Sequence, residues 1–134
     1  MVLLDSHAWF QWVTEPRLFL PAHLRTWLES AEILAISAVS PYEIALHAER
    51  GRVRLDLPLR EWFAEAIAGS GIALLPLSPD IATRAAFLPP IHRDPWDRII
   101  IATAQEYDAL LVTKDETIPL YPGVKTVWKN PPMP

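Results

Sequence analysis

The part of the sequence richest in groups that can do chemistry is His92–Arg98, which reads His-Arg-Asp-Pro-Trp-Asp-Arg. It places two carboxylates, an imidazole and two guanidinium groups within seven residues, and an apolar run from Ile99 follows. Asp94 and Pro95 are typical of an N-cap and a first helical position, so Asp97 falls at the third position of the helix. Such carboxylates can serve only as caps, and for this stretch alone that interpretation stays open.

Other carboxylates follow predicted strands or begin predicted helices. Asp5 comes directly after the first apolar run of the chain, and Asp115 comes after the last long one. The pattern Ser-Pro-Tyr-Glu predicts a helix start with Ser40 as the cap and Glu43 as its partner in a capping box. Considered alone, each of these acids can be explained as a cap or turn residue.

The predicted arrangement of the elements brings these acids to one place. Short apolar runs alternate with helical patterns, which predicts a three-layer α/β domain with a parallel sheet covered on both faces. The carboxyl ends of parallel strands form the crevice in which ligands bind. Carboxylates crowded there repel one another, and a divalent cation that prefers hard oxygen ligands, Mg²⁺ or Mn²⁺, relieves the repulsion. We therefore expect one site that contains Asp5, Glu43, Asp97 and Asp115.

Apolar periodicity and start and stop signals define the elements. The predicted strands are Val2–Leu4, Ile33–Ile36, Ile72–Leu75, Ala109–Thr113 and Val124–Trp128. The predicted helices follow Asp5, cover 21–30, run from Ser40 to about Arg50, cover 59–68 and 80–87, and run from Pro95 to about Tyr107. Residues 1–134 are expected to form one domain, with a loose tail from about 130.

Composition narrows the class of protein. The chain has 134 residues, 51% of them hydrophobic, which is enough for a substantial core. It has no cysteine, which excludes disulfides and thiolate metal sites and favours a cytoplasmic location. Neither a signal peptide nor a membrane span is expected. A net charge of −4 argues against binding polyanions through the overall field, but it allows a local basic rim around an acidic centre.

Four segments, in this order, resemble the PIN-domain ribonucleases, in particular the VapC-type toxins of toxin–antitoxin pairs. They span nearly the whole chain: Leu3–Ala8, Ser37–Ala45, His92–Ala104 and Leu111–Asp115. The resemblance implies a three-layer α/β/α fold with a central parallel sheet of about five strands, a homodimer and a small antitoxin partner. It also maps the family's acids onto the chain, with Asp94 as a secondary candidate: Asp5, Glu43, Asp97 and Asp115.

The implied activity is the hydrolysis of RNA phosphodiester bonds by an endoribonuclease that uses one or two Mg²⁺ ions. We expect Asp5 and Asp97 to bind metal directly, and Asp115 to do so directly or through water. Glu43 is expected to bind a second ion or to orient the attacking water. Thr113 is a secondary candidate for a hydrogen bond to a ligand carboxylate, with a plain buried strand residue as the alternative.

Cations beside the acids are candidates for contacts with RNA phosphates. Arg93 and Arg98 flank the acids, and Arg50 belongs to a local basic run. The alternatives are a solvated loop end for the basic run and a helix-surface pair with Asp94 for Arg98. For His92 we favour a local hydrogen-bonding role.

Other functions stay open at this point. A PIN-like domain can bind RNA or a protein without catalysis, although all the family's acids are present here. A stand-alone RNA-processing nuclease is the second alternative. A haloacid-dehalogenase-type enzyme with Asp5 as nucleophile would need a second Asp two residues on, where this chain has His7.

Overall fold

The structure, a computed structural model, describes residues 1–129, so the predicted loose tail at 130–134 lies outside the described residues. Its strands are β1 (Val2–Leu4), β2 (Leu34–Ser37), β3 (Ile72–Leu75), β4 (Leu110–Val112) and β5 (Lys125–Val127). They form one sheet in the order β3-β2-β1-β4-β5, and every neighbouring pair is parallel. The predicted central parallel sheet of about five strands is confirmed.

The helices connect these strands. Their bounds are α1 Ser6–Thr14, α2 Pro16–Phe19, α3 Ala22–Glu29, α4 Val39–Glu49, α5 Leu59–Ala66, α6 Pro79–Ala86 and α7 Pro95–Tyr107. The short α2 lies between the first two predicted helices, where no element was predicted, since one turn is too short to show periodicity. None of the helices within residues 1–129 is long and apolar enough to cross a membrane.

Alternating strand side chains build an apolar core on each face of the sheet. On one face Leu4 of β1 packs with Trp9 of α1, and both are fully buried. On the other face Leu3 and Leu111 pack against Ile100 in the apolar run of α7, which is also fully buried. This apolar run therefore passes through the interior, and its burial fixes the polar start of α7 beside the sheet.

The helix that carries Glu43 begins earlier than predicted. α4 starts at Val39 with Ala38 at its N-cap position and no side-chain cap. Ser40 lies inside the first turn, fully buried, and its hydroxyl forms a hydrogen bond with that of Ser6, with 2.8 Å between the two Oγ atoms. The predicted capping box is therefore wrong, because the Ser40 hydroxyl joins α4 to α1 instead of capping its own helix.

Arg98 ties the end of α6 and the loop after it to α7. Its guanidinium donates to the carbonyl oxygens of Leu88 at 2.8 Å, Ala85 at 2.9 Å and Pro89 at 3.0 Å, with longer bonds to Ala86 and His92. No ion pair between Arg98 and Asp94 occurs in the part of the chain that the structure describes. The contact of Arg98 with RNA stays a prediction, while the structure gives this side chain a positioning role.

Arg98→Lys is expected to lower the free energy of unfolding by about 2 kcal/mol, because lysine keeps the charge but leaves several carbonyls without a donor. Arg84→Lys is the matched control, since Arg84 is exposed and forms a surface pair with Glu106. Its loss should be less than about 1 kcal/mol. Urea denaturation measures both values, and equal losses would contradict the role given to Arg98.

Candidate metal centre

The acids singled out in the sequence line one pocket at the carboxyl edge of the sheet. Asp5 follows β1 and is the N-cap of α1, and Asp115 comes after the neighbouring strand β4. Glu43 lies in α4, and Asp97 lies in the first turn of α7, whose N-cap is Asp94. The pocket has a volume of about 450 Å³ and is lined by Asp5, His7, Glu43, Asp94, Asp97, Lys114 and Asp115.

Hydrogen bonds from nearby N–H and O–H groups fix one oxygen of most of these carboxylates. Asp5 Oδ1 accepts the Ala8 N–H at 2.8 Å, and Asp115 Oδ1 accepts the Thr117 N–H at 2.7 Å. The Ser6 hydroxyl, which also contacts Ser40, donates to Glu43 Oε1 at 3.0 Å. A carboxylate anchored through one oxygen keeps its second oxygen in a defined place, which is what a preorganised ligand requires.

Asp94 is a cap in the structure, as the simplest interpretation of the sequence predicts. Its Oδ1 accepts the Trp96 N–H at 2.9 Å at the start of α7. It nevertheless lines the pocket beside Asp97. Its role as a secondary site residue stays a prediction, and its negative charge acts on the neighbouring acids in either case.

His92 lies between two of the acids. Its Nε2 is 3.0 Å from Asp115 Oδ2, with which it forms a hydrogen bond, and 3.1 Å from Asp97 Oδ2. Each of the three side chains offers one atom within 4.8 Å of the others. The local hydrogen-bonding role favoured for His92 is therefore present in the structure.

Burial and crowding raise the pKa of three of the acids. The pKa of Asp97 rises to about 7, first through burial and then through the carboxylate of Asp94, with His92 partly offsetting both. Burial is also the largest cause of the raised pKa values of Asp5 and Glu43, although hydrogen bonds to each favour the charged form. These three groups therefore resist being charged together in the metal-free protein.

Asp115 behaves differently from the other acids. Burial alone would raise its pKa, but the hydrogen bonds from Thr117 and His92 outweigh burial and hold the pKa below its usual value. It is therefore charged more readily than Asp97, which contacts the same imidazole nitrogen.

This donor set fits a hard divalent cation. It consists of carboxylate oxygens that come from separate elements and repel one another in a half-buried pocket. A divalent cation compensates such a cluster, and oxygen ligands are those that Mg²⁺ and Mn²⁺ prefer. The arrangement can therefore bind one or more such ions and a negatively charged substrate with them.

Several polar groups at the site were missed or left open in the sequence. His7 and Lys114 line the pocket, and Ser6 holds Glu43, yet none of the three is among the predicted site residues. Their adjacency to Asp5 and Asp115 in the sequence was the available signal. Thr113 is buried and its Oγ1 accepts the Asp115 N–H at 3.1 Å, and the same hydroxyl lowers the pKa of Asp5, so it acts on two of the acids.

The predicted RNA-contacting arginines fall into two groups. Arg93 and Arg50 are exposed, the first just before the N-cap of α7 and the second just after the end of α4. Arg98 is half-buried and engaged with backbone carbonyls. Only the first two thus present a guanidinium to solvent in the way that a phosphate contact requires.

A family model, a related sequence and solved structures each match nearly the whole chain. The family described as PIN domain matches residues 2–123. Ribonuclease VapC22 of Mycobacterium tuberculosis is 36% identical over 130 residues, which cover 95% of this chain and 98% of that relative. A chain of VapBC2 from Rickettsia felis, solved bound to a promoter DNA fragment, has a TM-score of 0.70 at 14% identity and covers 95% of this chain and 98% of its own. A chain of a toxin–antitoxin complex from Klebsiella pneumoniae has a TM-score of 0.63 at 22% identity, and the match covers 97% of this chain and 100% of that one.

The raised pKa of Asp97 predicts how stability depends on pH in the metal-free protein. The folded protein binds a proton at Asp97 up to about pH 7, whereas the unfolded chain releases it near its ordinary pKa. The free energy of unfolding should therefore be highest at the acidic end of this window, and Asp97 alone should lower it by about 4 kcal/mol as pH rises to about 8.

Asp97→Asn should remove most of that slope, and Asp56→Asn at an exposed loop position should leave it unchanged. Denaturant titrations at several pH values in chelator measure both. A free energy of unfolding that does not change with pH, or the same pH dependence in Asp97→Asn as in the wild type, would contradict the raised pKa of Asp97.

Proposed function

The chain belongs to the PIN-domain family, in its VapC-type branch, and we propose that it is a metal-dependent endoribonuclease acting as the toxin of a toxin–antitoxin pair. The observation that carries the proposal is the pocket shared by Asp5, Glu43, Asp97 and Asp115. A binding domain without catalysis does not require a group of acids whose pKa values are raised by burial and by one another. The relative named Ribonuclease VapC22 supports the nuclease activity.

We assign Mg²⁺ as the metal, with Mn²⁺ as an alternative of similar chemistry. Asp5, Asp97 and Asp115 would hold it, and Glu43 completes the acidic set. When bound, the ion supplies positive charge that activates water for attack and stabilises the charge developing on the scissile phosphate and its leaving oxygen.

The chain's own groups prepare the site for phosphodiester hydrolysis. The N–H groups of Ala8 and Thr117 fix Asp5 and Asp115. Because these rotamers are already fixed, less entropy is lost when the site is filled. Ser6 fixes one oxygen of Glu43 at 3.0 Å. We assign Glu43 to orient the attacking water and to accept its proton.

Exposed arginines are assigned to the phosphates on either side of the scissile bond. Arg93 and Arg50 are the candidates, because both guanidinium groups are open to solvent. The net charge of −4 means that the overall field repels RNA, so the strand has to be held by local cations. Such contacts position a strand without reading its sequence.

The proposed protein partners are a small antitoxin and a second copy of the chain. Solved relatives described as toxin–antitoxin complexes share this fold, which supports the first. Exposed apolar side chains, among them Phe19 and Phe87, provide surface that a protein partner would cover. Cytoplasmic action follows from the proposed substrate and stays part of the proposal.

Asp5→Asn should abolish Mg²⁺-dependent cleavage of single-stranded RNA, with a loss of at least about 100-fold. Asparagine keeps an Oδ1 that accepts the Ala8 N–H, so the cap of α1 and the fold are retained while the ligand charge is lost. Cleavage of a labelled RNA is measured with Mg²⁺ and with excess chelator. Activity in chelator, or an Asp5→Asn variant as active as the wild type, would refute the metal nuclease.

The toxin role is tested by expressing the wild type and the Asp5→Asn variant in cells. Expression of the wild type should arrest growth, Asp5→Asn should not, and the product of a short neighbouring reading frame should relieve the arrest. A cleaving enzyme whose expression leaves growth unaffected would favour the stand-alone nuclease.

Arg50→Ala and Arg93→Ala should each weaken the binding of single-stranded RNA to the Asp5→Asn protein. Each loss of a phosphate contact should reduce the slope of log K against log salt concentration by about 0.7. Arg60→Ala, an exposed arginine on α5, is the control that should leave the slope unchanged. Fluorescence anisotropy at several salt concentrations measures the slopes, and identical slopes in all variants would remove these arginines from the interface.

A further inference from the structure

The imidazole of His92 can have either of two roles at the acidic pocket. Its Nε2 lies 3.0 Å from Asp115 Oδ2 and 3.1 Å from Asp97 Oδ2. Imidazole nitrogen is a common metal ligand, so this nitrogen could coordinate an ion together with the two carboxylates. It could instead carry a proton and donate a hydrogen bond to Asp115, with the carboxylate of Asp97 in close contact beside it. The two roles require opposite tautomers of the ring.

The second ring nitrogen decides between these roles. The backbone N–H of Asp94 donates a hydrogen bond to Nδ1 of His92 at 3.2 Å. A nitrogen that accepts a hydrogen bond uses its lone pair, and a neutral imidazole carries its single proton on the other nitrogen. The proton therefore sits on Nε2, between Asp97 and Asp115, and a nitrogen that carries a proton cannot coordinate a metal.

The backbone of His92 is held from outside the pocket. Its N–H donates to Tyr121 Oη at 2.7 Å, and that hydroxyl donates to the Pro89 carbonyl at 2.9 Å. Its carbonyl accepts a bond from Arg98. These contacts fix the backbone of His92, and the bond from the Asp94 N–H fixes its ring, so the Nε2–H is a rigid donor and not a mobile side chain that follows the acids.

We propose that His92 is a positioning residue, whose Nε2–H holds the carboxylates of Asp97 and Asp115 together at ligand spacing without itself binding the metal. This inference rests on the metal site of the proposed function. The metal is then coordinated by oxygen atoms alone, which favours Mg²⁺ or Mn²⁺ over ions that prefer nitrogen, such as Zn²⁺. In ordinary metal sites a carboxylate orients a ligating histidine. In this chain a histidine orients the ligating carboxylates.

The tautomer is tested directly by nitrogen NMR of the wild-type protein, without RNA. The chain has four histidines, and the spectrum of His92→Gln identifies the signals of His92. We expect the Nε2–H tautomer at about pH 8 both without metal and with saturating Mg²⁺. A switch to the Nδ1–H tautomer when Mg²⁺ is added would overturn the proposal, because it would mean that Nε2 coordinates the ion.

Metal affinity measured by calorimetry, again without RNA, is the second test. His92→Ala should weaken the binding of Mg²⁺ by about 10- to 100-fold. His92→Gln should recover part of this loss, because its amide N–H can replace the donor. Zn²⁺ affinity should fall by the same factor as Mg²⁺ affinity. A much larger fall for Zn²⁺ would indicate a lost nitrogen ligand, and unchanged affinities would leave His92 only a structural role; either result overturns the proposal.

Cleavage assays separate the failure of this inference from the failure of the proposed function. In His92→Ala, saturating Mg²⁺ should restore much of kcat, since the ligands themselves are still present. A wild type that binds Mg²⁺ with the expected dependence on His92 but cleaves no RNA would support the positioning role and refute the ribonuclease. A wild type that binds no divalent metal would overturn both.

Discussion

Repulsion among carboxylates gathered at one edge of the sheet is the constraint on which the rest of the structure depends. Asp97 shows the cost of bringing acids there, since burial first and the carboxylate of Asp94 second raise its pKa to about 7. A small domain has only a modest margin of stability from which to maintain such a cluster. The apolar run of α7, buried against the sheet through Ile100 and Ile101, supplies stability close to the acids and keeps Asp97 where it is.

Hydrogen bonding lets carboxylates of this cluster cap a helix and line the pocket at the same time. Asp5 caps α1 through Oδ1, and Asp94 caps α7 through Oδ1, while both line the pocket. A carboxylate has two oxygens, so capping a helix does not compete with binding a cation. For Asp5, the role of helix cap is therefore compatible with the role of metal ligand. The helix N-terminus also favours the charged form that a metal ligand requires.

Much of the fold could be predicted because its signals are local. Apolar runs mark the strands, and Asp94 with Pro95 marks the start of α7, where the structure has it. The capping box at Ser40 failed because the partner of that hydroxyl is Ser6, far away in the sequence, and no local pattern contains that information. The convergence of the acids was predictable from topology, since the ends of neighbouring parallel strands share an edge.

The roles of the cations could not be predicted in the same way. Arg98 and Arg93 look alike in the sequence, and both were assigned to RNA. The carbonyls that engage Arg98 come from α6 and a loop without regular structure, whose path no periodicity reveals. The sequence gives the charge of a side chain, but its partners decide whether that charge is available to a substrate.

The spacing of the His-Arg-Asp-Pro-Trp-Asp-Arg motif follows from these contacts. Asp94 caps α7 and donates its N–H to His92, so the imidazole is placed just before the helix begins. Asp97 lies in the first turn, within 3.1 Å of that imidazole. Arg98, the next residue, lies about 100° further round the helix axis and binds the carbonyls of the loop that carries His92. One helix start thus presents an acid and anchors the loop that carries the imidazole beside it. Moving either residue by one position would rotate it about 100° around the helix axis and break this arrangement.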